Sequence, residues 1–517
     1  MLFLLAQRPP DAKQSRRRHW EIAASTSTLL QVDEDHSNSS RSSNELQLYR
    51  AMQLQQRSRK VVSMHTHDEL LPREQLDKGG HPTHLDYLTA LRLCNKTRSK
   101  SLALRVRDQV LQQGALSGYL GDYVVVTLAK CGAVDDAWET ARKLPHRTVF
   151  SWTAIISAFF ECGRDRDALQ MHHFMQEEGI DPDSFTFVVL LKACGRMGDL
   201  VRGMHIHEDA RKRGLASDAF VGNTLVSMYG KCGALVEAEN VFVAMYCRDT
   251  VSWTAMLSAY VEQGQGENAL RLYRQMQEEG MSPNQLTCVT VLQACVLLAE
   301  EEEALLVEGR SIKPMSLEIG CAVHAFAHER GMETDAFVGT TLVNMYGKCG
   351  ILIDARNMFE LMDEKDIVSW NAIITAYVYN EEGSEALQLY SSLLLKGWMP
   401  NKITLMSILD ACASEGFSME GQRVHTYILC SAFVSDIVLG TAIVHMYGAC
   451  KASQDDARIA FDRMPERNLF SWNTIIAMYT HCGEGIKAFL MYKRMQCESI
   501  LPNHVTFVTV ISACADL

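Results

Sequence analysis

The chain has 517 residues, 47% of them hydrophobic and 22% charged, with a formal charge of −12. That length holds several ordinary domains or one long repeat array, and the acidic balance argues against a protein held to nucleic acid mainly by bulk charge. No apolar run reaches the roughly 18 residues of a membrane span, so no membrane contact is expected, and the sixteen cysteines of so long a chain are expected as reduced thiols.

The first 82 residues differ from the rest. Arg8, Lys13, Arg16, Arg17 and Arg18 make the extreme N-terminus basic, and Ser/Thr-rich stretches follow at 24–28 and 37–43. Residues 1–5 are apolar, but the run ends too early for a secretory h-region. The composition fits an organelle transit peptide, with the mitochondrion as the expected destination and the chloroplast as the alternative. Asp11, Glu21 and the acidic trio at 33–35 fit a plain disordered tail equally well.

From residue 83 the sequence repeats itself. The segments VFSWTAIISAFFECG, TVSWTAMLSAYVEQG, IVSWNAIITAYVYNE and LFSWNTIIAMYTHCG align on Trp152, Trp253, Trp370 and Trp472, at spacings of 101, 117 and 102 residues. The first period divides into units of 35 (149–183), 35 (184–218) and 31 residues (219–249), after which VSW returns. The triplet fills 250–366 and 367–468 and begins again at 469, while 83–117 and 118–148 read as degenerate copies of the second and third types. The second triplet holds 16 extra residues between Cys295 and Gly320, around EEEEALLVEGRSIKP, and the third holds one near CKASQDD. Both are expected as surface loops, because a longer connection costs little closure entropy.

Each unit reads as two antiparallel helices. In 250–284, Trp253, Met256, Leu257 and Tyr260 fall on one helical face, and EQGQG breaks the pattern. A second helix carries Ala269, Leu270, Leu272, Tyr273 and Met276, and MSPN ends the unit, where Asn284 can cap the next helix. One such pair buries too little apolar surface alone, so neighbours must stack. The expected fold is all-α, a right-handed superhelical solenoid of about twelve two-helix repeats over 83–517 and an incomplete last one.

The pentapeptide YGKCG occurs at 229–233 and 346–350, with looser copies ending at Gly132 and Lys451. Its cysteines, Cys131, Cys232, Cys349 and Cys450, recur once per 31-residue unit, while Cys94, Cys194, Cys295, Cys412 and Cys514 recur in the second unit type. No CxxC occurs, and neighbouring cysteines are tens of residues apart. Zinc needs clustered ligands, so these are expected as small packing residues where helix meets helix, and no metal or other cofactor is expected. His207, His324 and His425 recur in the same way and are read as packing residues too.

Alternating units of 35, 35 and 31 residues carrying VSWN, a terminal PN or PD, YGKCG and GxxVH resemble the plant pentatricopeptide repeat family, in its P-L-S subclass, over about 83–517. Tetratricopeptide repeats keep a uniform period of about 34 residues, which this chain does not. The resemblance implies binding of single-stranded organellar RNA, one base per repeat. The implied base readers are the fifth and last residues of each unit: Thr153 with Asp183, Asn223 with Asp249, Thr254 with Asn284, Thr340 with Asp366, Asn371 with Asn401, Thr441 with Asn468, and Asn473 with Asn503. The second residue of a unit is implied to wedge beside the base: Phe150, Phe220, Val251, Phe337, Val368, Val438 and Phe470. The last residues would also serve as helix N-caps with no RNA present.

In that family Thr or Ser at the fifth residue goes with purines and Asn with pyrimidines, while a final Asp favours G or U and a final Asn favours A or C. The implied target is 5′-G-n-U-A-n-G-C-n-A-C-3′, with n at the units whose fifth residue is Val188, Val289 or Met406. Asp122 with Thr148 falls off the code and receives no base. The first 82 residues carry a formal +2, leaving −14 on the repeats, so phosphate contacts are expected to be few or confined to a groove.

The same subclass often continues into a zinc-dependent cytidine deaminase, which needs an HxE glutamate and a PCxxC ligand pair. His67–Glu69 matches HxE but precedes the repeats and has no cysteine pair after it. The chain ends at Leu517 inside a unit that begins near His504, without a terminal cap, and is expected to be truncated. No phosphate-binding glycine loop, GxSxG or HExxH is present, and no enzymatic activity is expected. Three functions are therefore carried forward. The first is an organellar RNA-binding factor that recognises C-to-U editing sites, with a deaminase or other editing factors acting in trans. The others are a protein-binding scaffold and the RNA-guide portion of a truncated deaminase.

Overall fold

Why do these units fold as helix pairs? From Ser184–Met197 onward the first helices start at an Asp or Asn cap, and the glycine turns between paired helices are closed by backbone hydrogen bonds. Gly264, between the two helices of 250–284, shows the device: at φ +72° its N–H reaches the Val261 carbonyl, ending the first helix. The second helix then begins at Gly266, whose added Cβ would lie 2.9 Å from the Ala294 carbonyl of the next unit.

The computed structural model describes residues 84–114, 116, 118–307, 310–450 and 454–515. The tail or transit segment expected over 1–82, His67–Glu69 and the extra residue expected near 451–453 lie outside the described residues. Twelve helix pairs and a thirteenth first helix, His504–Ala515, follow one another among the described residues. The first helices are His84–Thr97, Gly118–Lys130, Val149–Glu161, Ser184–Met197, Ala219–Lys231, Thr250–Glu262, Gln285–Glu301, Ala336–Lys348, Ile367–Tyr379, Lys402–Glu415, Ile437–Ala449 and Leu469–His481. Each packs against the first helix of the next unit and against its own second helix, while a second helix touches mainly the first helices on either side. The fold is thus an all-α solenoid with the first helices as its continuous layer.

The repeated motifs are the contacts between units. Trp152, Trp253, Trp370 and Trp472 are at most 2% exposed. The indoles of Trp253, Trp370 and Trp472 meet Phe242, Phe359 and Phe461 of the preceding unit edge to face, at 4.9, 4.8 and 4.8 Å. An aromatic side chain buries roughly 150–250 Å², on the order of 5 kcal/mol of transfer free energy before chain entropy is charged against it.

YGKCG, with the Met before it, is a set of packing contacts. Met228, Met345 and Met446 fill the spaces left by Gly203, Gly320 and Gly421, where an added Cβ would lie 2.4–2.5 Å from the sulfur. The next residue, Tyr229, Tyr346 or Tyr447, hydrogen bonds to Nδ1 of His207, His324 or His425 at 2.8, 2.7 and 3.0 Å. Burial lowers the His207 and His425 pKa values, so these imidazoles are neutral partners. The Cys131 and Cys450 thiols each donate to the carbonyl of the second-type cysteine before them, Cys94 and Cys412, at 3.5 Å. Burial pushes the Cys194, Cys295, Cys349 and Cys412 thiols up to about 12, as expected of side chains packed between helices.

The long insertion differs from the surface loop expected. Its first residues extend Gln285–Glu301 by a turn, and the rest forms an antiparallel hairpin, β1 (Leu305–Val307) with β2 (Arg310–Ile312), pairing Leu306 with Ser311. The Lys313 N–H donates to the Cys349 carbonyl at 3.3 Å, so the hairpin sits on the YGKCG turn of the next unit. The Glu302 carboxylate then accepts from the Met315 and Ser316 N–H groups at 2.7 and 3.0 Å, capping the helix Pro314–Glu329. Backbone capping and docking make it part of the stack.

Helix contact at the first YGKCG glycine is close enough to test. A Cβ on Gly230 would lie 2.5 Å from the Ala259 Cβ and 2.9 Å from its Cα. Gly230→Ala is expected to destabilise the array by about 1–3 kcal/mol in urea unfolding. Gly264→Asn, in open space and left-handed backbone, should cost less than about 1 kcal/mol.

Candidate nucleic-acid interface

All seven candidate last residues sit immediately before a first helix. Asp183, Asp249, Asn284, Asp366, Asn401, Asn468 and Asn503 each offer Oδ1 to the backbone N–H three residues on, at 2.8–3.0 Å. They are therefore N-caps. The residues whose N–H groups they bind are Thr186, Ser252, Thr287, Ser369, Thr404, Ser471 and Thr506, all with 0% exposure.

Those hydroxyls were not singled out in the sequence, and they tie the candidate pairs together. Six of them also donate to the capping Oδ1, at 2.7–3.0 Å. Thr153, Thr254 and Thr340 reach the same hydroxyls across the unit boundary, with oxygen–oxygen distances of 2.7, 2.8 and 3.0 Å. Asn371 and Asn473 Oδ1 lie 2.6 and 2.7 Å from the Thr404 and Thr506 hydroxyls, whose single proton is shared with the cap. Their Nδ2 groups donate to Asn401 and Asn503 at 3.1 and 3.3 Å, and Asn223 donates to Asp249 at 3.5 Å. Six of the seven pairs are thus brought together. Thr441 is the exception: its hydroxyl donates to the Ile437 carbonyl of its own helix, at 2.8 Å, and forms no bond to Asn468 among the described residues.

The cap consumes one terminal atom of each last residue. Among the described residues, Oδ2 of Asp183, Asp249 and Asp366 accepts no hydrogen bond, and Nδ2 of Asn284, Asn401, Asn468 and Asn503 donates none. Aspartate therefore presents an acceptor and asparagine a donor from the same backbone position. Partial burial works to raise the Asp249 and Asp366 carboxyls, but hydrogen bonds from Ser252 and Ser369 and nearby backbone N–H groups outweigh it and hold both below the usual range. Both stay ionised at neutral pH.

Beside these atoms runs a line of exposed apolar side chains. Phe150, Phe220, Val251, Phe337, Val368, Val438 and Phe470, on the first turns of their helices, are 44–73% exposed. The line continues through Leu85, Tyr119, Phe185, Leu286, Ile403 and Val505, which the candidate set omitted. The second-type units break the polar pattern. Val188, Val289 and Met406 occupy the fifth position, and the caps that end those units, Asp218, Asp335 and Asp436, face Val221, Val338 and Leu439 where the other junctions have a hydroxyl. At 118–148 the pair closes on itself, with the Thr148 hydroxyl donating to Asp122 at 2.9 Å.

Capping and presentation are separable by substitution. Asn284→Asp should leave stability within a few tenths of a kcal/mol, since both residues cap well, whereas Asn284→Ala should cost about 1 kcal/mol. Thermal and urea unfolding of both variants measure the difference.

A model of the PPR repeat family matches residues 147–196, 248–296, 365–414 and 467–516, and a PPR repeat model matches 185–215, 223–249 and 340–367. A chloroplastic pentatricopeptide repeat-containing protein of Arabidopsis thaliana is 32% identical over 434 residues, covering 83% of this chain and 67% of the relative. Another from that plant is 31% identical over 432 residues, covering 83% and 74%. A mitochondrial one is 29% identical over 456 residues, covering 83% and 48%. The chain spans about half the length of several of the curated relatives it matches. A crystal structure of the pentatricopeptide repeat protein PPR10 in complex with an 18-nt psaJ RNA element aligns at 18% identity and TM-score 0.39, covering 86% of this chain and 63% of that one. The chain belongs to the pentatricopeptide repeat family.

Proposed function

We propose that this chain binds single-stranded RNA in a sequence-specific manner, one base per polar junction. The observation that carries the reading is the single uncommitted atom on each capping residue, set beside an exposed apolar side chain. Guanine and uracil carry an N–H donor on the ring nitrogen of their Watson–Crick edge, and adenine and cytosine carry an acceptor there. The free Oδ2 of Asp183, Asp249 and Asp366 suits the first pair, and the free Nδ2 of Asn284, Asn401, Asn468 and Asn503 suits the second. At the fifth position, Asn223, Asn371 and Asn473 each use one amide proton within the protein and keep a second. That remaining donor suits the O2 acceptor of a pyrimidine. The proposed target is 5′-G-n-U-A-n-G-C-n-A-C-3′, with the base at Thr441 and Asn468 the least constrained. The exposed second residues, Phe150 to Phe470, supply apolar surface on which the base faces rest.

The alternation of 35-, 35- and 31-residue units supports the P-L-S subclass, and with it a role in selecting C-to-U editing sites for a deaminase supplied in trans. Relatives named chloroplastic and mitochondrial support an organellar location, the mitochondrion being the reading we favour. A reporter fused behind residues 1–60 is expected to enter that organelle. Import into chloroplasts would reassign the compartment, and a purely cytosolic reporter would remove the organellar reading.

Base choice is tested by swaps that keep the cap. Asn371→Thr should move preference at its site from C toward A, and Asn284→Asp should move its own from A toward G. A mismatch at one reader should cost roughly 1–2 kcal/mol. Binding to an oligonucleotide series varied at those two positions measures it. Equal weakening across all sequences would mean that these residues only cap helices.

A further inference from the structure

Acidic overall, the chain distributes its few basic residues unevenly along the layer of first helices. Arg92, Lys96, Lys130, Lys192 and Lys231 are exposed and make no ion pair among the described residues. All lie on first helices that end at or before Lys231. Past that point the first helices through His504–Ala515 hold two cations among the described residues, and both are engaged: Lys348 with Glu300 at 3.0 Å, and Lys402 with Asp436 at 2.8 Å. The helices Thr250–Glu262, Ile367–Tyr379, Ile437–Ala449 and Leu469–His481 contain no lysine or arginine.

The five free cations share a face with the apolar line. They stand seven or eleven residues after the exposed second residue of their helix: Arg92 and Lys96 after Leu85, Lys130 after Tyr119, Lys192 after Phe185 and Lys231 after Phe220. At about 100° per residue, seven and eleven steps return to within about 20° of the start. Charge and apolar surface therefore form one stripe, along which a strand resting its bases on the apolar residues would carry its phosphates. Asp410 and His445 hold the seven-step position in their helices, and Tyr379, Ser414, Ala449 and His481 the eleven-step position, which Lys348 also holds with its charge paired to Glu300. Glu161 is the acid on the stripe of the early units and Glu262 of the next.

We propose that a bound single-stranded RNA is held by charge only at the end seated on residues 84–249, and that the units from 250 onward hold it by base and apolar contacts alone. This rests on the RNA-binding reading above. One neutralised phosphate changes the slope of log affinity against log salt by about 0.7 for a single strand, so these five cations together contribute a slope of about 3.5.

The test uses the full chain and a random-sequence RNA oligonucleotide pool, so that no assigned base is assumed. Lys130→Gln with Lys231→Gln should lower the salt slope by about 1.4. Lys487→Gln with Lys493→Gln, the same charge change on the second helix Gly485–Cys497, should leave it unchanged. Neutral methylphosphonate linkages placed one at a time along 5′-GUUAUGCUAC-3′, with two uridines on each side, should weaken binding at one end only. RNA binding with an unaltered slope in the first variant, or with losses spread evenly along the strand, overturns the polarised grip while leaving RNA binding intact. Failure of the unmodified chain to bind either RNA at low salt overturns both readings.

Discussion

The buried hydroxyl that follows each polar junction is the constraint on which the rest of the array depends. Thr186, Ser252, Thr287, Ser369, Thr404 and Thr506 lie at the meeting of two units, donating to the cap that starts one helix and lying beside the fifth residue of the helix before it. A buried hydroxyl without a partner would cost about 1–3 kcal/mol. The cap therefore fixes the next helix and orients its own outward atom with the same bond. Register between units and presentation to a ligand are set together, with no residue given to either alone.

The other junctions are apolar. Where a second-type unit meets a 31-residue unit, the fifth residue is apolar and so is the third residue after the cap: Val188 with Val221, Val289 with Val338, Met406 with Leu439. Where the fifth residue is Thr or Asn, its counterpart 29 to 33 positions on is always Ser or Thr. The pair changes as a unit because a lone buried hydroxyl or a lone amide is the costly state. The same apolar junctions carry the His–Tyr, Met–Gly and Cys–Cys contacts. They add interlocked joints to the Trp–Phe and Gly230–Ala259 contacts of the polar junctions, which also carry the exposed chemistry.

Much of this was legible in the sequence. Trp152, Trp253, Trp370 and Trp472 recur because a large side chain must fill the same gap in each period, and that periodicity gave helix pairs, unit lengths and stacking. The capping residues were visible because Asn and Asp before an apolar helix carry a local signal. The bridging hydroxyls were hidden because Ser and Thr inside VSW or LTC look like ordinary helix residues, and their partners stand some 30 residues away. Thr441 kept the right residue type and still misses the network, since a hydroxyl on a helix can always return to the carbonyl four residues back. The hairpin of the long insertion escaped because three-residue strands are too short to show alternation, and a surplus in the repeat count reveals length rather than conformation.

An acidic chain is a sound frame for discrimination. Non-specific affinity for a polyanion rises with every free cation along the strand, whereas a base mismatch changes binding by only a few kcal/mol at most. A stripe of lysines along every first helix would add the same affinity for every sequence and slow release from wrong sites. Confining the free cations of the first helices, among the described residues, to 84–231 would limit that common term while still capturing a strand. In the proposed RNA complex, affinity beyond Lys231 comes from Thr254 with Asn284, Thr340 with Asp366, Asn371 with Asn401 and Asn473 with Asn503, together with the apolar line. A strand that enters on the charged units then remains only if its bases satisfy the free donors and acceptors downstream. The proposed grip thus assigns capture and selection to different stretches of one continuous helical layer.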